Sequence, residues 1–94
     1  MDCVIYVREH PTVSIYQQFN GAATYAARHG YSIKAKVLDF QGNKFHEAVN
    51  KLIADHDINA LIIYSKETAF DNSDDYLFFK IYCEKLGKKL ISCN

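Results

Sequence analysis

Ninety-four residues suffice for one packed domain and no second core, and 49% hydrophobic against 23% charged residues argues for an ordered interior. Eleven Lys and Arg balance eleven Asp and Glu, which excludes the uniformly basic surface of a wholesale polyanion binder while leaving room for a local patch. Cys3, Cys83 and Cys93 form no C-x-x-C pair, no secretory pattern precedes the first apolar run, and no apolar stretch nears the ~20 residues that span a bilayer, so a reduced, cytoplasmic protein with no membrane contact is expected.

Cys3 to Val7 is a continuous β-branched and aromatic run, the pattern of a strand buried on both faces of a parallel sheet. Pro11 breaks it, and with Pro11 or Thr12 near the first turn, Ile15, Phe19, Ala22, Ala23 and Ala26 follow at helical spacing. This predicts a first helix over residues 13 to 29, stopped by Gly30. Ile33, Ala35, Val37 and Leu38 predict a second strand ending at Asp39-Phe40, with Gln41-Gly42-Asn43 as a turn. A second helix carries Phe45, Ala48, Val49, Leu52 and Ile53 on one side, with Asn43 as its cap and Glu47 and Lys51 as an outward pair. Ala60 to Tyr64 reads as a central strand, Ser65 to Ser73 as a polar loop, Asp74 to Leu86 as a third helix closed by Gly87, and Lys89 to Ser92 as a last strand.

Strict alternation of strand and helix predicts a three-layer αβα domain around a parallel four-stranded sheet, flavodoxin-like in architecture, with strand order 2-1-3-4. Residues 1–94 form that single domain without a linker or repeat. Ligands of such sheets sit beyond the carboxyl ends of the strands where the order reverses. That directs attention to Arg8, Glu9, His10, Thr12 and Ser14 after the first strand, and to Ser65, Lys66, Glu67 and Thr68 after the third. No glycine-rich turn follows the first strand, so neither a dinucleotide fingerprint nor a P-loop is present. His10, His29, His46 and His56 lack metal-ligand spacing, and no cofactor or metal is expected. Thr12 or Ser14 beside His10 has no third group to orient the imidazole as a base.

Tyr6-Val7-Arg8, then Ser14-Ile15-Tyr16-Gln17-Gln18, Ala22, Tyr25-Ala26 and Gly30-Tyr31, resemble the start of serine recombinase (resolvase/invertase) catalytic domains. Ala60 to Thr68 and Gly87 to Ile91 resemble that family's later strands, so the likeness spans nearly the whole chain. The resemblance implies a resolvase-like fold in which Arg8 and Gln18 occupy family positions. It also implies departures at the chemistry: His10 stands where the family has its nucleophilic serine, Glu67 where it has an aspartate, and Thr68 and Asp71 where it has two arginines. Lys44 or His46 partly compensates for an arginine lost after Asp39. Each missing transition-state donor costs ~3 kcal/mol and loss of the nucleophile removes the covalent route. The expectation is therefore a non-enzyme, a pseudoenzyme with a degenerate pocket of Arg8, His10, Gln18, Glu67, Thr68 and Asp71. The chain stops after the last core strand, so no long dimer helix or DNA-binding domain is expected.

What remains is surface. Leu77, Phe78, Ile81 and Tyr82 already suffice for a buried face of the third helix, which leaves Tyr76, Phe79 and Cys83 as the expected interaction surface. The first helix, with Tyr16, Gln17, Asn20, Tyr25 and Arg28, is a second candidate, and Lys85, Lys88 and Lys89 are a candidate phosphate contact. These features predict a protein-interaction or oligomerisation module linked to DNA recombination, pairing with itself as a homo-oligomer or with a related recombinase. The competing expectations are a small enzyme or phosphate-ligand binder at Arg8, His10, Ser65 and Glu67, and a non-specific DNA-associating regulator.

Overall fold

In the computed structural model, which describes residues 1–94, strand β1 (Asp2–Arg8) is the second of four parallel strands in the order β2-β1-β3-β4. β2 is Ser32–Asp39, β3 Ile58–Ile63 and β4 Lys89–Ser92. Arg8 pairs in register with Asp39, and Tyr6 with Val37 and Ile63. The expected α/β architecture and strand order are both present. Side-chain alternation along a strand then builds two cores. Cys3, Ile5 and Val7, with Ala60 and Ile62, face one way; Val4 and Tyr6, with Leu61 and Ile63, face the other.

The first of those faces is covered by helix α1 (Ile15–Arg28) through Ala22 and Ala26, whose small side chains let the helix lie close to the sheet. α1 begins two residues later than expected because Ser14, rather than Pro11 or Thr12, supplies the cap: its hydroxyl accepts from the Gln17 N–H at 3.0 Å. The opposite face carries α2 (Phe45–Ala54) and α4 (Ser73–Lys85). Asn43 does not cap α2. Its backbone N–H, like those of Gln41, Gly42 and Lys44, is directed to the Asp39 carboxylate. Glu47 and Lys51 form no ion pair. The expected loop from Ser65 to Ser73 contains a one-turn helix α3 (Lys66–Ala69), held by a reciprocal cap between Ser65 and Thr68, and Asn72 caps α4 by accepting from the Asp75 N–H at 2.9 Å.

The face of α4 is the reverse of the expected one. Cys83 is fully buried, and Tyr76 and Phe79 pack against the core. Leu77 (51%), Phe78 (63%), Ile81 (54%) and Tyr82 (40%) are exposed. The reason is an aromatic cluster: Phe79 lies 4.7 Å from Phe45 and 6.0 Å from Phe70, and Phe45 in turn meets Tyr6 edge-on at 5.1 Å. Phe79 completes that cluster, and the rest of the helix follows its orientation.

Candidate functional site

Tyr6 and Arg8 close the carboxyl end of β1 and open into a cavity of about 330 Å³ whose walls include Gly42, Asn43, Phe45 and His46 on one side and Ala69, Phe70, Asp71, Asp75 and Phe79 on the other. Arg8 is fixed from three directions. Gln18, on the buried face of α1, accepts from the Arg8 N–H at 3.1 Å and donates to the carbonyls of Arg8 (2.6 Å) and Val13 (3.0 Å). The guanidinium donates through Nη1 to the Ala69 carbonyl at 3.2 Å and through Nη2 to Asp71 at 2.7 Å. Gly42, at φ +78°, brings the β2–α2 loop against it, where an added Cβ would stand 3.2 Å from Nε. The hydrogen bond to Asp71 raises the Arg8 pKa further, so a permanent cation stands at the pocket mouth.

Behind it, the Tyr6 hydroxyl donates to Asp39 at 2.5 Å. Asp39 is fully buried. Burial pushes its carboxyl up, but the bonds from the Tyr6 hydroxyl and from the backbone N–H groups of Lys44, Asn43 and Gly42 outweigh it and hold the group below the ordinary aspartate range. Burial first, then the bond to Asp39, pushes the Tyr6 phenol well above its ordinary value. The consequence is geometric. Because the N–H groups of residues 41 to 44 are spent on Asp39, that loop offers no backbone cradle for an anion, and Arg8 is the pocket's principal donor. Asp39 and Tyr6 escaped the site list drawn from sequence; the signal was Asp-x-x-Gly-Asn at a strand end, the pattern of a carboxylate bonding its own loop.

Of the residues expected in the pocket, Arg8 and Asp71 come together, with His46 on the wall. His10 does not join them: its Nδ1 accepts from the Thr12 N–H at 3.3 Å within its own turn. Gln18 braces Arg8 from below, outside the cavity. Thr68 is buried and its hydroxyl donates to the Ser65 carbonyl at 3.0 Å, so neither Ser65 nor Thr68 has a free hydroxyl. Glu67 lies exposed on α3. Lys88 is likewise unavailable for phosphate, since its Nζ donates to the carbonyls of Leu52, Asp55 and Ile58 at 2.6 to 2.8 Å. Lys85 and Lys89 are exposed. Along α1, Tyr16, Gln17, Asn20 and Arg28 are exposed and Tyr25 is half-buried. Burial raises the pKa of all three cysteines, which favours the protonated thiol over the thiolate. No cluster of three or more His, Cys, Asp or Glu is gathered in the fold, and no helix is long and apolar enough to cross a membrane.

No protein-family model and no curated protein matches the sequence. Solved structures do share the fold. The N-terminal catalytic domain of TP901-1 integrase superposes with a TM-score of 0.78 at 22% identity, covering 100% of this chain and 79% of that one. The C-terminal catalytic domain of ISC1926 TnpA, an IS607-like serine recombinase, gives 0.73 at 20% identity, with 100% and 70% covered. That of IS1535 TnpA, also IS607-like, gives 0.64 at 11% identity, with 97% and 70% covered. The chain therefore has the fold of serine recombinase catalytic domains, as its residues suggested. The expectation of a non-enzyme is corrected by the same finding: the structures that share this fold along its whole length are catalytic domains of enzymes. Substitutions at His10, Thr68 and Asp71 were too narrow a basis for it, because His10 and Thr68 lie outside the cavity in which Arg8 stands.

Proposed function

We propose that this chain is a DNA-recombination domain that acts by docking on other protein chains, chiefly its own copy, through the outer face of α4. One observation carries the reading. Leu77, Phe78, Ile81 and Tyr82 stand exposed side by side, joined by Ile53 of α2 at 39% exposure. Contiguous apolar patches of this kind mark interaction surfaces, and aromatic side chains dominate the energetics of such contacts. The recombination setting rests on the shared fold with an integrase and serine recombinases. The test is light scattering over a wide concentration range: association is expected for the native chain and a monomer for Phe78→Asp, while a native monomer throughout overturns the proposal.

A second reading has its own observation. Arg8 presents a fixed guanidinium fork at the mouth of a cavity, opposed by an Asp71 side chain that is 81% exposed, with Asp75 also on the wall. Guanidinium matches phosphate bidentately, so the pocket suits one phosphodiester of DNA. Fluorescence anisotropy with a labelled oligonucleotide tests it: weak, salt-dependent binding lost in Arg8→Ala is expected, and equal binding by that variant removes the reading.

A further inference from the structure

The outer face of α4 carries a pattern that its apolar character alone does not explain. At 3.6 residues per turn, Asp74, Phe78, Ile81 and Lys85 fall within about 60° of one line on the side opposite Cys83, with Leu77 and Tyr82 flanking it. The stripe therefore runs from an acid, through four apolar side chains, to a base. It is also symmetric: the pairs Asp74 and Lys85, Leu77 and Tyr82, and Phe78 and Ile81 share a single midpoint, between Phe79 and Lys80. Neither Asp74 nor Lys85 has an ion-pair partner within the chain, although neighbouring Lys80 and Glu84 are paired at 3.6 Å. Phe78 and Tyr82 are stacked with their planes only 8° apart, which flattens the centre of the stripe.

Resting on the reading that the domain docks through this face, we propose that two copies pair antiparallel along α4 about a two-fold axis through that midpoint. Asp74 of each copy then meets Lys85 of the other, Leu77 meets Tyr82, and Phe78 meets Ile81. A two-fold contact demands this reciprocity, in which each residue's partner is also its symmetry mate's partner. Charge selects the direction. A parallel pair sets Asp74 on Asp74 and Lys85 on Lys85, whereas the antiparallel pair matches opposite charges at both ends and opposes the two helix dipoles favourably. The occupant of this face is a second copy because the stripe is complementary to itself.

Carbodiimide treatment of the native chain provides the test. Asp74 and Lys85 stand roughly 16 Å apart along one helix, so a zero-length amide between them joins two copies only. A cross-linked dimer whose peptide map shows Asp74 bonded to Lys85 is expected; a dimer linked elsewhere, with that pair absent, overturns the arrangement while leaving docking itself intact. Charge reversal reads the same contact in solution. Asp74→Lys or Lys85→Asp alone raises the dimer dissociation constant about tenfold, and the two together restore it. If the charges served only the helix ends, the double variant would be the worst of the three, since both changes oppose the helix dipole. A double variant no tighter than the singles refutes the proposal, and a native chain that never dimerises refutes both it and the reading beneath it.

Discussion

Arg8 Nη2 and Asp71 Oδ1 lie 2.7 Å apart, yet the two ends of the pair differ: the Arg8 side chain is 20% exposed and Asp71 81%. The guanidinium is held by the Ala69 carbonyl as well, so Asp71 is the more exposed and less constrained member. An ion pair with one end in water contributes at most ~1 kcal/mol to stability. Asp71→Asn is therefore expected to shift the urea midpoint only slightly. It also removes the carboxylate bonded to Arg8, which competes with a phosphate for the guanidinium, so oligonucleotide affinity in anisotropy rises by about fivefold, the equivalent of ~1 kcal/mol. Unchanged affinity would show that Asp71 does not gate the guanidinium.

Stability should depend on pH through Asp39. Its carboxyl is held below the ordinary aspartate value of 3.8 in the folded chain, so the unfolded chain binds more protons as the pH falls through that range. The contribution is fully present above the unfolded value and is lost as pH drops through the folded one. Urea midpoints of the native chain are expected to decline steeply below about pH 4, and Asp39→Asn to lose stability at neutral pH while flattening that acid limb. Tyr6→Phe, which removes one donor but leaves the backbone donors in place, costs ~1–3 kcal/mol. An acid limb unaltered in Asp39→Asn would assign it to other carboxylates.

The strands were legible because Cys3 to Val7 and Ala60 to Ile63 are apolar without interruption and are buried on both faces. The direction of α4 was not. Its apolar residues form two stripes, Tyr76, Phe79 and Cys83 against Leu77, Phe78, Ile81 and Tyr82, and helical periodicity ranks neither above the other. The choice belongs to Phe45 and Phe70, distant in sequence, whose rings receive Phe79. The pocket followed the same division. Arg8 was found from its place at a strand end, but its bond to the Ala69 carbonyl spans 61 positions and leaves no local trace. The basic cluster near the carboxyl terminus misled for the same reason: nothing around Lys88 announces that the carbonyls of Leu52, Asp55 and Ile58 await it.

Lys88 accordingly tests fold rather than binding. Its ammonium saturates all three of its donors on the carbonyls of Leu52, Asp55 and Ile58, neutralising the carboxyl end of α2, where the helix dipole is negative. Lys88→Met keeps the apolar stem and deletes the charge. It should cost ~2 kcal/mol in urea unfolding and leave oligonucleotide affinity as it was. Lys89→Met, at an exposed position, should be within ~0.5 kcal/mol of the native chain. Equal effects of the two would contradict the special role of Lys88.

Gly42 and Gly30 have nearly the same φ, +78° and +77°, but differ in what an added methyl group would meet. At Gly30 there is nothing within 4 Å, whereas at Gly42 the Arg8 guanidinium stands 3.2 to 3.6 Å away. Replacing either by Ala incurs the left-handed penalty of ~1–2 kcal/mol, so their stabilities should fall together. Only Gly42→Ala also pushes on Arg8. The guanidinium must tilt while Asp71 and the Ala69 carbonyl hold its far side, which misaligns the fork that faces the cavity. Oligonucleotide binding should therefore weaken in Gly42→Ala and remain native in Gly30→Ala, once both are compared at a temperature where each is folded. Equal binding by the two variants would mean that the Gly42 approach shapes the loop without setting the direction of Arg8.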